Sequence, residues 1–352
     1  MIQAHGRMDG ISYRIAVTLA LAALVAGCAG ATATAQPPAA ATSNPAAAAS
    51  AAPAASAANL AGISVSYVTG LKGIPFFTSV NCGATSRAKE LGIKYDYDGP
   101  AAFDATQQIP ILNAVGARKP SAMIVSPTDT QALIAPMQAL VAQGIKLVTV
   151  DTTVTDASVT VSRVLSDNKA GGKLGADALN TLTAGKGSVA VLSVKPGIST
   201  TDERAQGFEA AIKAHPTLKY LGIQYNQGSD RTAQEVVTGL ISANPDLSGI
   251  FVVGNVGSEG AAAALRSANV GDRVKVVQYD ASPPQVDQLK QKVLDALIAQ
   301  DPFQEGIDAI DQAVNALTGK PVQAEIKTGL NVITRETIAD GSATKYVYKT
   351  DC

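Results

Sequence analysis

From Gly62 onward, short apolar runs alternate with segments of helical period, and few folds accept such a pattern. The strand-like runs of the first half are ISVSYVTG (63–70), IKYDYDG (93–99), AMIVSP (122–127) and IKLVTVD (145–151). SVAVLS (188–193), YLGIQYN (220–226), GIFVVGN (249–255) and VKVVQYDA (274–281) follow. Apolar strands separated by helices imply parallel sheets covered on both faces. Two such series predict two doubly wound α/β lobes, and 352 residues suit two lobes of ordinary size. Ligands of such open sheets sit beyond the carboxyl ends of the strands. The helix after the first strand carries a stripe of Phe77, Val80, Ala84, Ala88 and Leu91. Phe76 lies about 100° away from Phe77 at its exposed start. Phe77 alone reads as a core anchor. Phe76 beside it favours a flat apolar wall for a ligand.

Several chemistries have no residues to support them. Lys and Arg (28) nearly balance Asp and Glu (29), so nucleic acid is not an expected partner. His215 is the one histidine beyond the first few residues, which leaves no His-rich metal site and no Ser-His-Asp triad. There is no P-loop, and GNVGSEG (254–260) lacks dinucleotide-binding spacing. Neither an enzyme, nor a cofactor, nor a metal is expected.

The N-terminus reads as a targeting segment. Arg7 and Arg14 precede an apolar run, Ile15 to Gly27, that is short for a membrane span. It ends in VAGC, which resembles the bacterial lipobox, and so implies a signal peptide over 1–27 and lipidation of Cys28. Residues 29–59 are Ala-, Pro-, Ser- and Thr-rich and carry no charge. They read as a tether that holds a folded body off a membrane reached by the lipid anchor alone.

Seven segments in order resemble the type I periplasmic sugar-binding proteins, near the ribose- and galactose-binding group. They are IPFF, SAMIVSPTDTQAL, GIKLVTVDTTV, VLSDNKAGGKLGADAL, TTDERAQGFEAAI, VVQYDASPP and ALIAQDPFQEG. The resemblance implies two lobes joined by a three-stranded hinge, with crossings near Ser166–Asp167, Gln300–Asp301 and Gly329–Leu330. The first lobe would be 60–166 plus 301–329, the second 167–300 plus 330–340, and 341–352 a tail. Phe76 and Phe77 would sandwich a sugar ring, while Asp151, Arg204, Asp280 and Gln300 would bind hydroxyls. Taken alone, Asp151 and Asp280 also suit caps or turns, Arg204 a solvated helix face, and Gln300 a structural contact. TTDE (200–203) reads as a capping box that aims Arg204 at the helix start.

Four positions depart from the ribose pattern. Ile74 and Ser126 replace Asn residues, Thr152 replaces an Arg, and Gly254 replaces an Asn whose role falls to the adjacent Asn255. Ser126, Thr152 and Asn255 stay in the expected ligand set, but ribose itself is disfavoured. The implied ligand is a monosaccharide or polyol. The implied role is a monomeric solute-binding lipoprotein of an ABC importer, at the cell surface or in the periplasm. A ligand-presenting sensor binder is the alternative. YDGP (97–100) resembles the rhamnose and autoinducer-2 binders, although Gly70 stands where the autoinducer-2 group has Lys. A repressor of the same fold would need a helix-turn-helix where the signal segment lies, and a carbohydrate enzyme would turn sugar over.

Cys82 sits about 160° from the apolar stripe of its helix and is expected to face solvent. Cys352 is the last residue. Two exposed thiols are unusual outside the cytoplasm, so a Cys82–Cys352 disulfide is expected. Free thiols or pairing between chains are the alternatives.

Overall fold

The computed structural model describes residues 60–352, so Cys28, the signal segment and the tether lie outside the described residues. The first half runs β1 (Ser64–Val68), α1 (Pro75–Leu91), β2 (Lys94–Asp98), α2 (Ala105–Ala117), β3 (Ala122–Val125), α3 (Ile134–Ala142), β4 (Lys146–Val150) and β5 (Ser162–Ser166). The second runs α4 (Asn168–Leu182), β6 (Ser188–Ser193), α5 (Ser199–Ile212), β7 (Lys219–Tyr225), α6 (Asp230–Ala243), β8 (Leu247–Val252), α7 (Ser258–Ser267), β9 (Lys275–Tyr279), α8 (Pro283–Lys290) and β10 (Ala296–Ala299). Then come α9 (Pro302–Thr318), β11 (Glu325–Thr328), β12 (Asn331–Ile333) and α10 (Arg335–Ala339).

The strands form two sheets of six, ordered β2-β1-β3-β4-β5-β11 and β7-β6-β8-β9-β10-β12. Every pairing is parallel except β10–β12, which is antiparallel. The expectation of parallel sheets holds for all but this edge. Gly329 and Leu330 link β11 to β12, and so short a link leaves no room for the helix that a parallel return requires. The chain leaves the first sheet after Ser166, returns after β10 so that α9 packs on β3, β4 and β5, and leaves again after Thr328. The central strands are buried along their length, as continuous Val, Ile and Leu runs require.

Two helix pairs pack at backbone contact because glycines face each other. A Cβ on Gly83 of α1 would overlap the carbonyl of Phe303 on α9, and one on Gly306 of α9 would overlap that of Val80 on α1. Gly172 of α4 and Gly207 of α5 stand the same way against the carbonyls of Arg204 and Lys169. The second pair fixes the height at which Arg204 leaves α5.

Two local expectations fail. The capping box at 200–203 does not form: α5 is preceded by Ile198 with no side-chain cap, and Asp202 accepts from the Gly197 N–H at 2.9 Å. In the loop before α3, Asp129 accepts from the Gln131 and Ala132 N–H groups, both at 2.8 Å. Cys82 does not face solvent; it is 4 % exposed. The C-terminal tail covers that side of α1 and joins it through the Cys82–Cys352 disulfide.

Gly306→Ala is expected to destabilise the protein by about 1–3 kcal/mol in urea unfolding, because rigid backbone must shift. Gly239→Ala, inside α6 with open space around it, should instead stabilise by up to about 1 kcal/mol.

Candidate ligand-binding site

A cavity of about 450 Å³ opens at the carboxyl ends of the strands of both sheets. Phe76, Phe77, Asp151 and Thr152 reach it from the first lobe, and Arg204, Asn255, Asp280 and Gln300 from the second half. Asp151 follows β4, Asp280 follows β9 and Gln300 follows β10. Ser126 is not in the lining. It is fully buried; its hydroxyl pairs with the Tyr67 hydroxyl at 2.9 Å, and its carbonyl accepts from Gln108 Nε2 at 2.7 Å.

The aromatic wall has a third member. Pro75 starts α1, and Phe76 and Phe77 meet edge to face with centroids 5.2 Å apart. Phe77 lies nearly parallel to Phe103 at 6.5 Å, and Phe103 also lines the cavity. Phe103 follows the carboxyl end of β2, a position whose sequence signal is the strand end itself. Ile74 and Leu71 extend the apolar lining.

The polar side is buried and partly self-paired. Arg204 is 3 % exposed. Its Nε donates to Asn168 Oδ1 at 2.8 Å, its Nη1 donates to the Val253 carbonyl at 2.9 Å, and its guanidinium stands 3.7 Å over the Tyr279 ring. Asp280 Oδ1 accepts from Gln300 Nε2 at 2.7 Å and from the Tyr348 hydroxyl at 3.0 Å. Asp151 and Asp280 have φ of +65° and +79°. An L residue other than Gly enters this left-handed region at a cost of roughly 1–2 kcal/mol, and such strain concentrates at functional sites. Among the described residues, Thr152 Oγ1 and Gln300 Oε1 have no hydrogen-bond partner although both are buried. Buried polar groups of this kind call for a partner, and a hydroxylated ligand supplies one.

Burial pushes the Asp151 carboxyl up to about 7; Arg204 opposes the shift and Asp280 adds to it. Nearby, Glu305 opens α9 where the crossings converge. Its Oε1 accepts from Ser166 Oγ at 2.8 Å and Thr328 Oγ1 at 3.0 Å, at the ends of β5 and β11. Burial, then Asp151, pushes Glu305 up to about 8. No motif marks Tyr348 or Phe103, and Glu305 lies in ALIAQDPFQEG with no role assigned to it there. Among the described residues, no group of three or more His, Cys, Asp or Glu side chains is placed to hold a metal ion.

The two halves also touch away from the crossings. The Thr130 N–H donates to the Gly197 carbonyl at 3.3 Å, and the Thr153 N–H to Ser199 Oγ at 3.0 Å.

Residues 65–321 match the model of the periplasmic binding protein domain. The ribose import binding protein of Bacillus subtilis is 30% identical over 277 residues, 78% of this chain and 87% of that protein. That of Salmonella typhimurium is 29% identical over 282 residues, 79% and 92% of the two chains. Among solved structures, an ABC transporter solute-binding protein of Agrobacterium vitis bound with α-D-tagatopyranose has a TM-score of 0.78 and 33% identity, covering 82% of this chain and 99% of that one. A carbohydrate transporter solute-binding protein of Agrobacterium radiobacter in complex with D-arabinose has a TM-score of 0.75 and 28% identity, with the same coverage.

A carboxyl whose pKa is higher folded than unfolded holds a proton that the unfolded chain has released, so stability falls as pH rises between the two values. For Asp151 the window runs from about 4 to about 7; for Glu305 it extends to about 8. Urea unfolding of the ligand-free protein should show stability falling from pH 5 to pH 8, by up to about 1.4 kcal/mol per unit and group. Both groups contribute below about pH 7 and Glu305 alone above it, so Asp151→Asn should remove roughly half of the slope below pH 7 and Glu305→Gln the other half together with the slope between pH 7 and 8. An unchanged slope in both variants would contradict this assignment.

Proposed function

The chain belongs to the periplasmic binding protein family, and on that premise we propose that it captures a monosaccharide or polyol between its lobes and delivers it to an ABC-type import permease. It is a binding protein and not an enzyme. One observation carries the reading: aromatic rings and buried hydrogen-bonding groups share one cavity of about 450 Å³. A sugar has apolar C–H faces and a rim of hydroxyls. Phe76, Phe77 and Phe103 suit the faces. Asp151, Arg204, Asp280, Gln300, Thr152 and Asn255 suit the rim, where charged partners make the stronger hydrogen bonds. A wrong epimer leaves buried groups unpaired and is penalised for it.

Curated relatives of the chain carry ribose in their names, yet Ile74 makes this lining apolar where the ribose pattern has a polar Asn. A deoxy sugar fits such a lining better than ribose, and a polyol or a different pentose or hexose fits it as well. The ligand shifts an open–closed equilibrium by its differential affinity, and the closed form is what the permease reads. The protein works outside the cytoplasm. Cys28 is its lipid anchor, 29–59 its tether, and the two lobes are 60–166 plus 301–329 and 167–300 plus 330–340.

Thermal unfolding of residues 60–352 against pentoses, hexoses, ketoses, deoxy sugars and polyols tests this. A ligand at a thousand times its Kd adds about 4 kcal/mol to the folded state and should raise the midpoint by several degrees. Asp151→Ala and Phe76→Ala should each abolish most of that rise. A folded, ligand-free protein that shifts with none of these compounds is not a sugar or polyol carrier.

A further inference from the structure

The C-terminal tail enters the site from behind. The Tyr348 N–H donates to the Ala281 carbonyl at 3.0 Å, on the second lobe. One residue later, the Lys349 N–H donates to Ser79 Oγ on α1 at 2.6 Å, and its ammonium stands 4.0 Å from the Phe303 ring of α9. Cys352 is then bonded to Cys82 of α1. The last five residues thus link the two halves in addition to the three crossings.

The geometry points to Tyr348 as a positioning residue for the ligand: it fills one oxygen of Asp280, so that the carboxylate presents only the other to a sugar hydroxyl. The inference rests on the reading above, in which Asp280 binds ligand. The direction of each hydrogen bond is fixed. The Gln300 backbone N–H donates to the Tyr348 oxygen at 3.0 Å, so the phenol's own proton goes to Asp280 Oδ1, also at 3.0 Å. Gln300 Nε2 supplies a second donor to Oδ1 at 2.7 Å. A carboxylate oxygen has about two lone-pair sites, and both on Oδ1 are now used. Oδ2 remains. The phenol is buried, which holds it protonated and therefore a donor.

A carboxylate with both oxygens free can span two neighbouring hydroxyls. One with Oδ1 filled receives ligand at Oδ2 alone and cannot span the pair, so it favours a single hydroxyl. Tyr348 also meets the wall, its ring edge-on to Phe76 at 5.6 Å. It therefore sets the orientation of a rim group and of a face group together. The disulfide holds the tail against the same helix that carries Phe76, six residues away.

The test is a cycle on the purified, oxidised protein with the best sugar or polyol from the panel. Tyr348→Phe keeps the ring against Phe76 and removes only the hydroxyl. Titration calorimetry should show about a tenfold weaker Kd, in line with loss of one hydrogen bond to a charged group. In an Asp280→Ala background, read by ligand-observed NMR into the millimolar range, the same change should have almost no effect. Mono-deoxy analogues supply a readout that a purely structural role would not move. Wild type should tolerate loss of the hydroxyl adjacent to the one Asp280 holds, whereas Tyr348→Phe should discriminate against it. Cys352→Ser should reproduce part of the loss.

An equal loss in both backgrounds, or none in either, overturns the role of Tyr348. Unchanged affinity in Cys352→Ser overturns the part given to the disulfide. If Asp280→Ala alone leaves affinity intact, the assignment of Asp280 to the ligand site fails, and this inference falls with it.

Discussion

Moving a guanidinium from water into a protein interior costs several kcal/mol unless its charge and donors are met, and Arg204 is buried, 3 % exposed. Its Nε and Nη1 are met by Asn168 and the Val253 carbonyl, its face by Tyr279, and its charge by Asp151 and Asp280. Those partners stand at the carboxyl ends of four different strands, β4, β5, β8 and β9. None can move far without leaving a charge unpaired. The alternation of strands and helices supplies the connections, all on the same side of each sheet, and so makes such a cluster possible.

Helix packing sets the positions within that cluster. Gly172 and Gly207 bring α4 and α5 to backbone contact, which places Arg204 beside Asn168, the first residue of α4. Gly83 and Gly306 do the same for α1 and α9, and so relate the Phe pair to Glu305 at the crossings. Each pair makes its half stiff. Between the halves the links are few: the three crossings, the tail, and the contacts of Thr130 and Thr153. Such a body bends at its links before it deforms elsewhere.

The strands, the first helix, and the aspartates at 151 and 280 were legible because each is a local pattern. An apolar run ends, and a polar residue stands at the end. Phe76 was legible for the same reason. The failures concern surroundings. Cys82 points away from the stripe of its own helix, yet a tail 270 residues distant in sequence covers it. Ser126 follows a strand like the others, but Gln108 and Tyr67 claim it from behind. TTDE has capping chemistry, but the helix begins two residues earlier than a box on Thr200 requires, so the spacing is lost. Tyr348 lies in a polar tail with no period at all; only the folded chain brings it to Asp280.

The tail changes what the hinge has to do. It leaves the second lobe through the backbone after α10 and is bonded to the first through the Cys82–Cys352 disulfide, so it is a fourth covalent link between the halves. Tyr348 lies between those two attachments, hydrogen-bonded to Asp280, Gln300 and Ala281 on one side and edge-on to Phe76 on the other. A fourth link limits how far two lobes can separate about their hinge. Under the role proposed for Tyr348, the residue that fills Asp280 Oδ1 stands where that limit is set, so the selectivity of the rim and the reach of the hinge depend on the same short segment.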